Sequence, residues 1–344
     1  METVFEREIA AQSDVLSARS VQGQSAAQRA ASLFDSSVTH VVVAARGSSD
    51  NAARYFQYLA GEELRLLAAL ATPSLYESQP SIRLAGAVVL GISQSGQSPD
   101  IVSVLRASRE QGRPTLAITN DVESPLAHQA DAIIPLLVGD EISLAATKTF
   151  LASLHAVAQL VRALAAPRDP FPTMDEVPEL VGEVSRWAVD EVGAIAKDLA
   201  LGGLTVVGRG LGLTSANECA LKIREVSGIR AEAYASPDLL HGPIGADGRG
   251  SSLWLQLTEE IDDEDAATVV EGARRSGLTT MVSRSPSRVP TNADVDIVLP
   301  VDSPNWITPM LHVVIGQVLA LRLGEQRQRP IDEPPGLKKI TLTN

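Results

Sequence analysis

Short uncharged runs rich in β-branched residues recur along this chain, each followed by a stretch with helical spacing, and that alternation confines it to parallel α/β sheets. His40-Val41-Val42-Val43-Ala44-Ala45, Val88-Val89-Leu90-Gly91-Ile92, Thr115-Leu116-Ala117-Ile118-Thr119-Asn120 and Asp131-Ala132-Ile133-Ile134-Pro135-Leu136 form a first series. Runs of this kind suit strands covered on both faces. A break at Ala166-Pro167-Arg168-Asp169-Pro170-Phe171-Pro172 interrupts regular structure. Beyond it, Leu204-Thr205-Val206-Val207-Gly208-Arg209-Gly210 echoes the run from Val43 to Gly47, its Arg-Gly pair standing 163 positions after Arg46-Gly47. Residues 252–257, 278–282 and 295–299 complete a second series in the same order, which predicts an internal duplication.

The expected organisation is a helical segment over 1–37, with Ile9, Val15, Leu16, Val21 and Leu33 as its apolar positions, a first α/β unit over 38–166, a linker and helix over 167–195, a second α/β unit over 196–325, and a tail over 326–344.

The most informative loop follows the second strand. After Ile92 the chain reads Ser93-Gln94-Ser95-Gly96-Gln97-Ser98-Pro99-Asp100, then Ile101, Val102 and Leu105 at helical spacing. A strand feeding a helix through a short loop turns several backbone N–H groups toward the positive end of the helix dipole. Ser93, Ser95 and Ser98 add hydroxyls, Gln94 an amide, and Gly96 allows close backbone approach, so a phosphate ester is the natural guest. A serine-rich helix cap would use the same residue types singly; the whole loop behind a buried strand favours the anion. Arg46-Gly47-Ser48-Ser49-Asp50 ends the first strand in a similar way. In the second series the matching loop, Thr258-Glu259-Glu260-Ile261-Asp262-Asp263, carries carboxylates that would repel a phosphate, so the site is expected in the first unit alone.

The charge balance narrows the partners. A net charge of −13 over 344 residues supplies no basic patch for nucleic acid or an anionic membrane. The single cysteine, Cys219, excludes an internal disulfide framework, and Met1-Glu2-Thr3-Val4-Phe5-Glu6 lacks a secretory pattern, so a cytoplasmic setting is expected. No His and Cys spacing suits a metal, and no cofactor is called for. Gly208-Arg209-Gly210-Leu211-Gly212 misses the dinucleotide-binding spacing by one residue.

Three further places carry chemistry. Glu218, Lys222 and Glu225 stand at i, i+4 and i+7 and so share a helix face, a pattern that an exposed ion-pair stripe would also produce. His241 precedes Gly242-Pro243, a turn that lets it reach a ligand, and the chain closes on Pro334-Pro335-Gly336-Leu337-Lys338-Lys339-Ile340-Thr341. Cys219 reads as a small core residue.

Arg46 to Asp50, Ser93 to Asp100, Ala145-Ala146-Thr147-Lys148, Glu218 to Glu225, Leu240 to Pro243 and Gly336 to Thr341 together resemble the sugar isomerase (SIS) superfamily. The likeness is to the isomerase half of glucosamine-6-phosphate synthase, and closer still to the type II glucosamine-6-phosphate deaminases. It implies two flavodoxin-like SIS subdomains related by duplication, a sugar phosphate as ligand, and a homodimer. By the same resemblance, Ser48, Ser49, Ser93, Gln94, Ser95 and Ser98 bind the phosphate, and Thr147 is the hydroxyl left where the synthase has a serine at position 146. Glu225 moves the proton between C1 and C2, His241 opens the sugar ring from the neighbouring subunit, Lys222 lines the site, and Lys339 meets the open-chain carbonyl on a tail that closes over the ligand.

The chemistry suits those residue types: aldose–ketose isomerisation needs a carboxylate base beside a carbonyl and a cation near the enediol or enolamine. Residue 2 is Glu2, where the synthase has its glutaminase cysteine, so the expected net reaction is hydrolytic: glucosamine 6-phosphate and water to fructose 6-phosphate and ammonia. The alternatives are an isomerase or deglycase of a related amino or ketose phosphate, and a non-catalytic sugar-phosphate sensor.

Overall fold

A computed structural model of the chain describes residues 2–76, 82–199, 202–246 and 248–334. These divide into two compact units. The N-terminal unit comprises residues 14–141 and 148–175; the C-terminal unit comprises 2–13, 142–147 and 176–334. The chain opens with helix α1 (Val4–Ala10), which belongs to the C-terminal unit, and α2 (Gln12–Ala31), which lies mostly in the N-terminal one.

The N-terminal unit follows as β1 (His40–Ala44), α3 (Ser48–Leu64), β2 (Leu67–Leu70), β3 (Ala87–Ser93), α4 (Pro99–Glu110), β4 (Thr115–Thr119), β5 (Ala132–Pro135) and α5 (Lys148–Ala165). Its strands form one parallel sheet in the order β2-β1-β3-β4-β5. All seven residues of β3 are buried, as expected for a central strand flanked by helices. Val89 and Ala87 of β3 pack with Ile101, Val104 and Leu105 of α4 in one apolar cluster. The α4 residues recur at three- and four-residue spacing and so lie on one face.

The C-terminal unit repeats the design with α6 (Val177–Ile195), β6 (Leu204–Gly208), α7 (Leu211–Lys222), β7 (Ala231–Ala235), α8 (Ser236–Leu240), β8 (Ser252–Gln256), α9 (Asp263–Arg275), β9 (Thr279–Arg284), β10 (Val295–Val298) and α10 (Thr308–Gln326). Its parallel sheet runs β7-β6-β8-β9-β10, the same order counted within the unit. Both units are thus flavodoxin-like α/β sheets.

The repetition extends to individual contacts. Thr115, opening β4, donates its N–H and hydroxyl to Asp131 Oδ2 at 2.9 Å each, and Thr280, near the start of β9, does the same to Asp294 Oδ2 at 2.8 Å each. Arg46 pairs with Asp100 at 2.8 Å, and Arg209 with Asp265 at 2.7 Å. Gly47 has φ 55°, ψ −130° and Gly210 has φ 55°, ψ −129°, a conformation open to glycine and strained for other residues.

The eight strands read from the sequence are all present, and each sheet has a fifth, β2 and β7, that the apolar runs did not mark. Both are edge strands with a single buried residue each, and Leu67 of β2 is 69% exposed. Without a second covered face, an edge strand lacks the continuous β-branched signature. No helix among the described residues is long and apolar enough to cross a membrane.

Candidate active site

In the N-terminal unit, chain order reverses between the neighbouring strands β1 and β3, and such a switch point opens a crevice at the strands' C-terminal ends. Ala44 pairs with Gly91, so the two loops start side by side. Ser48 and Ser49 occupy the first turn of α3, and both are partly buried. Ser93 ends β3; Gln94, Ser95 and Ser98 follow, each partly exposed, and Ser98 stands at the N-cap of α4 without a capping side-chain hydrogen bond. Arg46 Nε donates to Asp100 Oδ2 at 2.8 Å, tying one loop to the helix that leaves the other.

The β3–α4 loop is held from several sides. Gly96 N–H donates to Ser93 Oγ at 3.1 Å and Gln97 N–H to Ser95 Oγ at 3.3 Å. Asn120 N–H donates to Gln94 O at 3.1 Å, and Leu126 N–H to Gly96 O at 3.1 Å. Gly96 has φ 63°, and a Cβ there would lie 2.1 Å from Ser124 Oγ. Gly96→Ala is therefore expected to destabilise the chain by about 1–3 kcal/mol through backbone strain, with the clash in addition. Thermal melting checks this; an unchanged melting curve would mean that the loop adapts freely.

In the C-terminal unit, α7 ends at Lys222 and continues as a π-helical turn, Ile223–Ser227, which carries Glu225. Widened turns of this kind recur at functional sites. Glu218 and Lys222 are at most 1% exposed, so the exposed-stripe reading of their spacing does not hold. Lys222 Nζ lies 3.4 Å from Glu218 Oε1 and donates to Glu225 Oε2, whose side chain is 24% exposed. One ammonium thus serves a buried carboxylate and a solvent-reachable one. Cys219 packs in the core, its Sγ only 2.3 Å from where a Cβ on Gly316 would stand, and burial pushes its thiol pKa far up. It offers no thiolate nucleophile.

His241 follows α8 in an exposed turn before Gly242, next to Leu240, which is 40% exposed. Thr147 is fully buried, its hydroxyl donating to Glu8 Oε2 at 3.2 Å; Glu8 Oε1 also accepts from Ile142 N–H at 2.6 Å. Glu8 of α1 thereby pins segment 142–147, a role without a sequence signal, since its partners lie about 135 residues away. Lys339 lies outside the described residues. Among the described residues, no group of three or more His, Cys, Asp or Glu side chains is placed to hold a metal.

The matching place in the C-terminal unit is filled differently. Glu260, in the loop between β8 and α9, sets its carboxylate at the N-terminus of α7, where Oε1 accepts from Leu211 N–H at 3.1 Å.

Residues 33–163 match the model of the SIS domain family. The chain carries a SIS domain. The glutamine–fructose-6-phosphate aminotransferase [isomerizing] of Halobacterium salinarum is 30% identical over 311 residues, 88% of this chain and 51% of that protein. The chain spans about half the length of the curated relatives it matches. A crystal structure assigned as a phosphosugar isomerase from Silicibacter pomeroyi DSS-3 aligns with a TM-score of 0.82 at 29% identity, covering 96% of this chain and 99% of that one. Glucosamine-6-phosphate deaminase from Thermotoga maritima aligns with a TM-score of 0.77 over 99% of this chain and 100% of its own, and at 20% identity that likeness is one of fold.

Proposed function

We propose that this SIS protein isomerises glucosamine 6-phosphate and releases its nitrogen as ammonia. The observation that carries the reading is the Glu218–Lys222–Glu225 cluster, in which a buried ammonium holds a partly exposed carboxylate on a π-helical turn. The relatives' names, which join fructose 6-phosphate to isomerisation, and the deaminase of the same fold support the substrate class.

In the ring-opened sugar, Glu225 takes the proton from C2 and returns it to C1, turning the aldehyde into an alcohol and the C2 amine into an imine. Water adds to that imine, and ammonia leaves as the C2 ketone forms. Ser48, Ser49, Ser93, Gln94, Ser95 and Ser98 hold the phosphate through hydroxyl, amide and helix N-terminal donors. Lys339 stabilises the oxygen that becomes anionic in the enolamine, the role its place in the family motif implies. His241 acts on the ring oxygen from a second copy of the chain, a reading that its exposed turn supports.

The test is release of ammonia and fructose 6-phosphate in equal amounts from glucosamine 6-phosphate. Isomerised product without ammonia would assign the protein to a ketose–aldose exchange instead, and saturable binding without turnover would make it a sensor.

Subunit mixing tests the shared histidine. His241→Ala and Glu225→Gln are each expected to be inactive as pure proteins. Random pairing in a dimer would restore about a quarter of wild-type activity, because half the dimers are mixed and one site in each is intact. Absence of recovery at every mixing ratio would place His241 within its own subunit's site or outside catalysis.

A further inference from the structure

The β1–α3 and β3–α4 loops of the N-terminal unit present hydroxyls, whereas the same position in the C-terminal unit holds a carboxylate of the chain itself. Glu260 Oε1 accepts from Leu211 N–H at 3.1 Å and from Asn305 Nδ2 at 2.9 Å. Asn305 Oδ1 in turn accepts from Glu259 N–H at 3.3 Å, fixing the loop that carries the carboxylate. The group lies flat against Gly210: a Cβ there would stand 2.5 to 2.7 Å from Glu260 Oε1, Cδ and Cγ. Gly210 is the positional twin of Gly47, with the same backbone angles. Glu260 Oε2 is buried and has no hydrogen-bond partner among the described residues.

A helix N-terminus carries about half a positive charge and unpaired N–H groups, and favours an anion. We infer that Glu260 is the resident anion of this duplicated strand-to-helix site, and that through it the β8–α9 loop positions α7. That helix ends at Lys222, about 16 Å from Leu211 along its axis, so Glu260 acts on the Glu218–Lys222–Glu225 cluster through a rigid element and not by contact. It is a positioning residue. A carboxylate supplied by the chain is always present at full occupancy, so the orientation of α7 does not depend on any ligand.

The experiment compares Glu260→Ala, Glu260→Gln and, as a control for loss of one exposed charge, Glu259→Ala, in sodium acetate and in sodium chloride at equal ionic strength. Glu260→Ala is expected to melt about 2–4 °C below wild type in chloride and to regain at least half of that drop in acetate, which supplies the missing carboxylate. Glu260→Gln fills the site but lacks the charge; it is expected to melt below wild type with no acetate-specific recovery, and Glu259→Ala to match wild type in both salts. A glutamine variant as stable as wild type, or an alanine variant that melts equally far below wild type in both salts, would overturn the proposal, and the glutamine variant decides the matter alone if the alanine variant does not fold. The kinetic arm rests on the reading given under Proposed function: kcat of Glu260→Ala falls by about tenfold with little change in KM, and acetate restores it. An unchanged kcat would remove the positioning role. Failure of the wild type to turn over glucosamine 6-phosphate would strike the functional reading and leave the melting comparison intact.

Discussion

Glu225→Gln is expected to lower kcat for glucosamine 6-phosphate by about 10² to 10⁴ while KM moves by less than about tenfold. Glutamine keeps the volume of the side chain and an acceptor oxygen for Lys222, so the π-helical turn and the buried Glu218–Lys222 pair remain in place. What it lacks is the capacity to take a proton from C2 and release it at C1. The loss should fall on the chemical step alone. Steady-state kinetics combined with exchange of solvent deuterium into C1 of the product checks this; near-normal turnover would move the base to another side chain.

Lys222→Met should reach further than the site. Glu218 and Lys222 are essentially sealed from water and 3.4 Å apart. Removing one member of a buried pair leaves the other charged in a poorly polarisable interior, at a cost of about 3–5 kcal/mol. Methionine is close to lysine in length, so cavity formation contributes little. Adding Glu218→Gln to the same protein removes the stranded charge and should recover a large part of the loss, a non-additivity that chemical denaturation can measure. If the double variant is less stable than Lys222→Met, the two side chains do not act as a pair.

What the sequence disclosed of this fold follows from which residues are covered. Central strands such as β3 announce themselves because helices enclose both faces and every residue must be apolar or small. The edge strands β2 and β7 are covered on too little of their surface to leave a pattern, and only pairing to β1 and β6 reveals them. The serine loop was legible because its residue types match their chemistry one by one. The Glu218–Lys222–Glu225 spacing was legible as geometry and silent about burial, since an exposed helix face and a sealed one use the same i, i+4 arithmetic. The acidic composition of the loop after β8 marks it as a place that repels phosphate, but composition alone does not show that one of its carboxylates sits on the N-terminal end of α7. The π-helical turn at Glu225 leaves no compositional trace.

The distribution of one unit over distant parts of the chain bears on how the protein is made. Phe5 and Ile9 of α1 are buried in the unit completed by residues 176–334, and the N–H groups of Val4 and Phe5 both donate to the carboxylate of Asp332, at 2.9 and 3.1 Å. A ribosome adding about 5–20 residues per second needs tens of seconds to travel from one partner to the other. Segment 142–147, held by Glu8, and α6 offer α1 part of its native surface earlier in that interval, whereas α10 and Asp332 complete it only at the end. The docking of α1 is thus completed only once the far end of its own unit has been made, so this helix stays partly unsecured through most of that unit's synthesis.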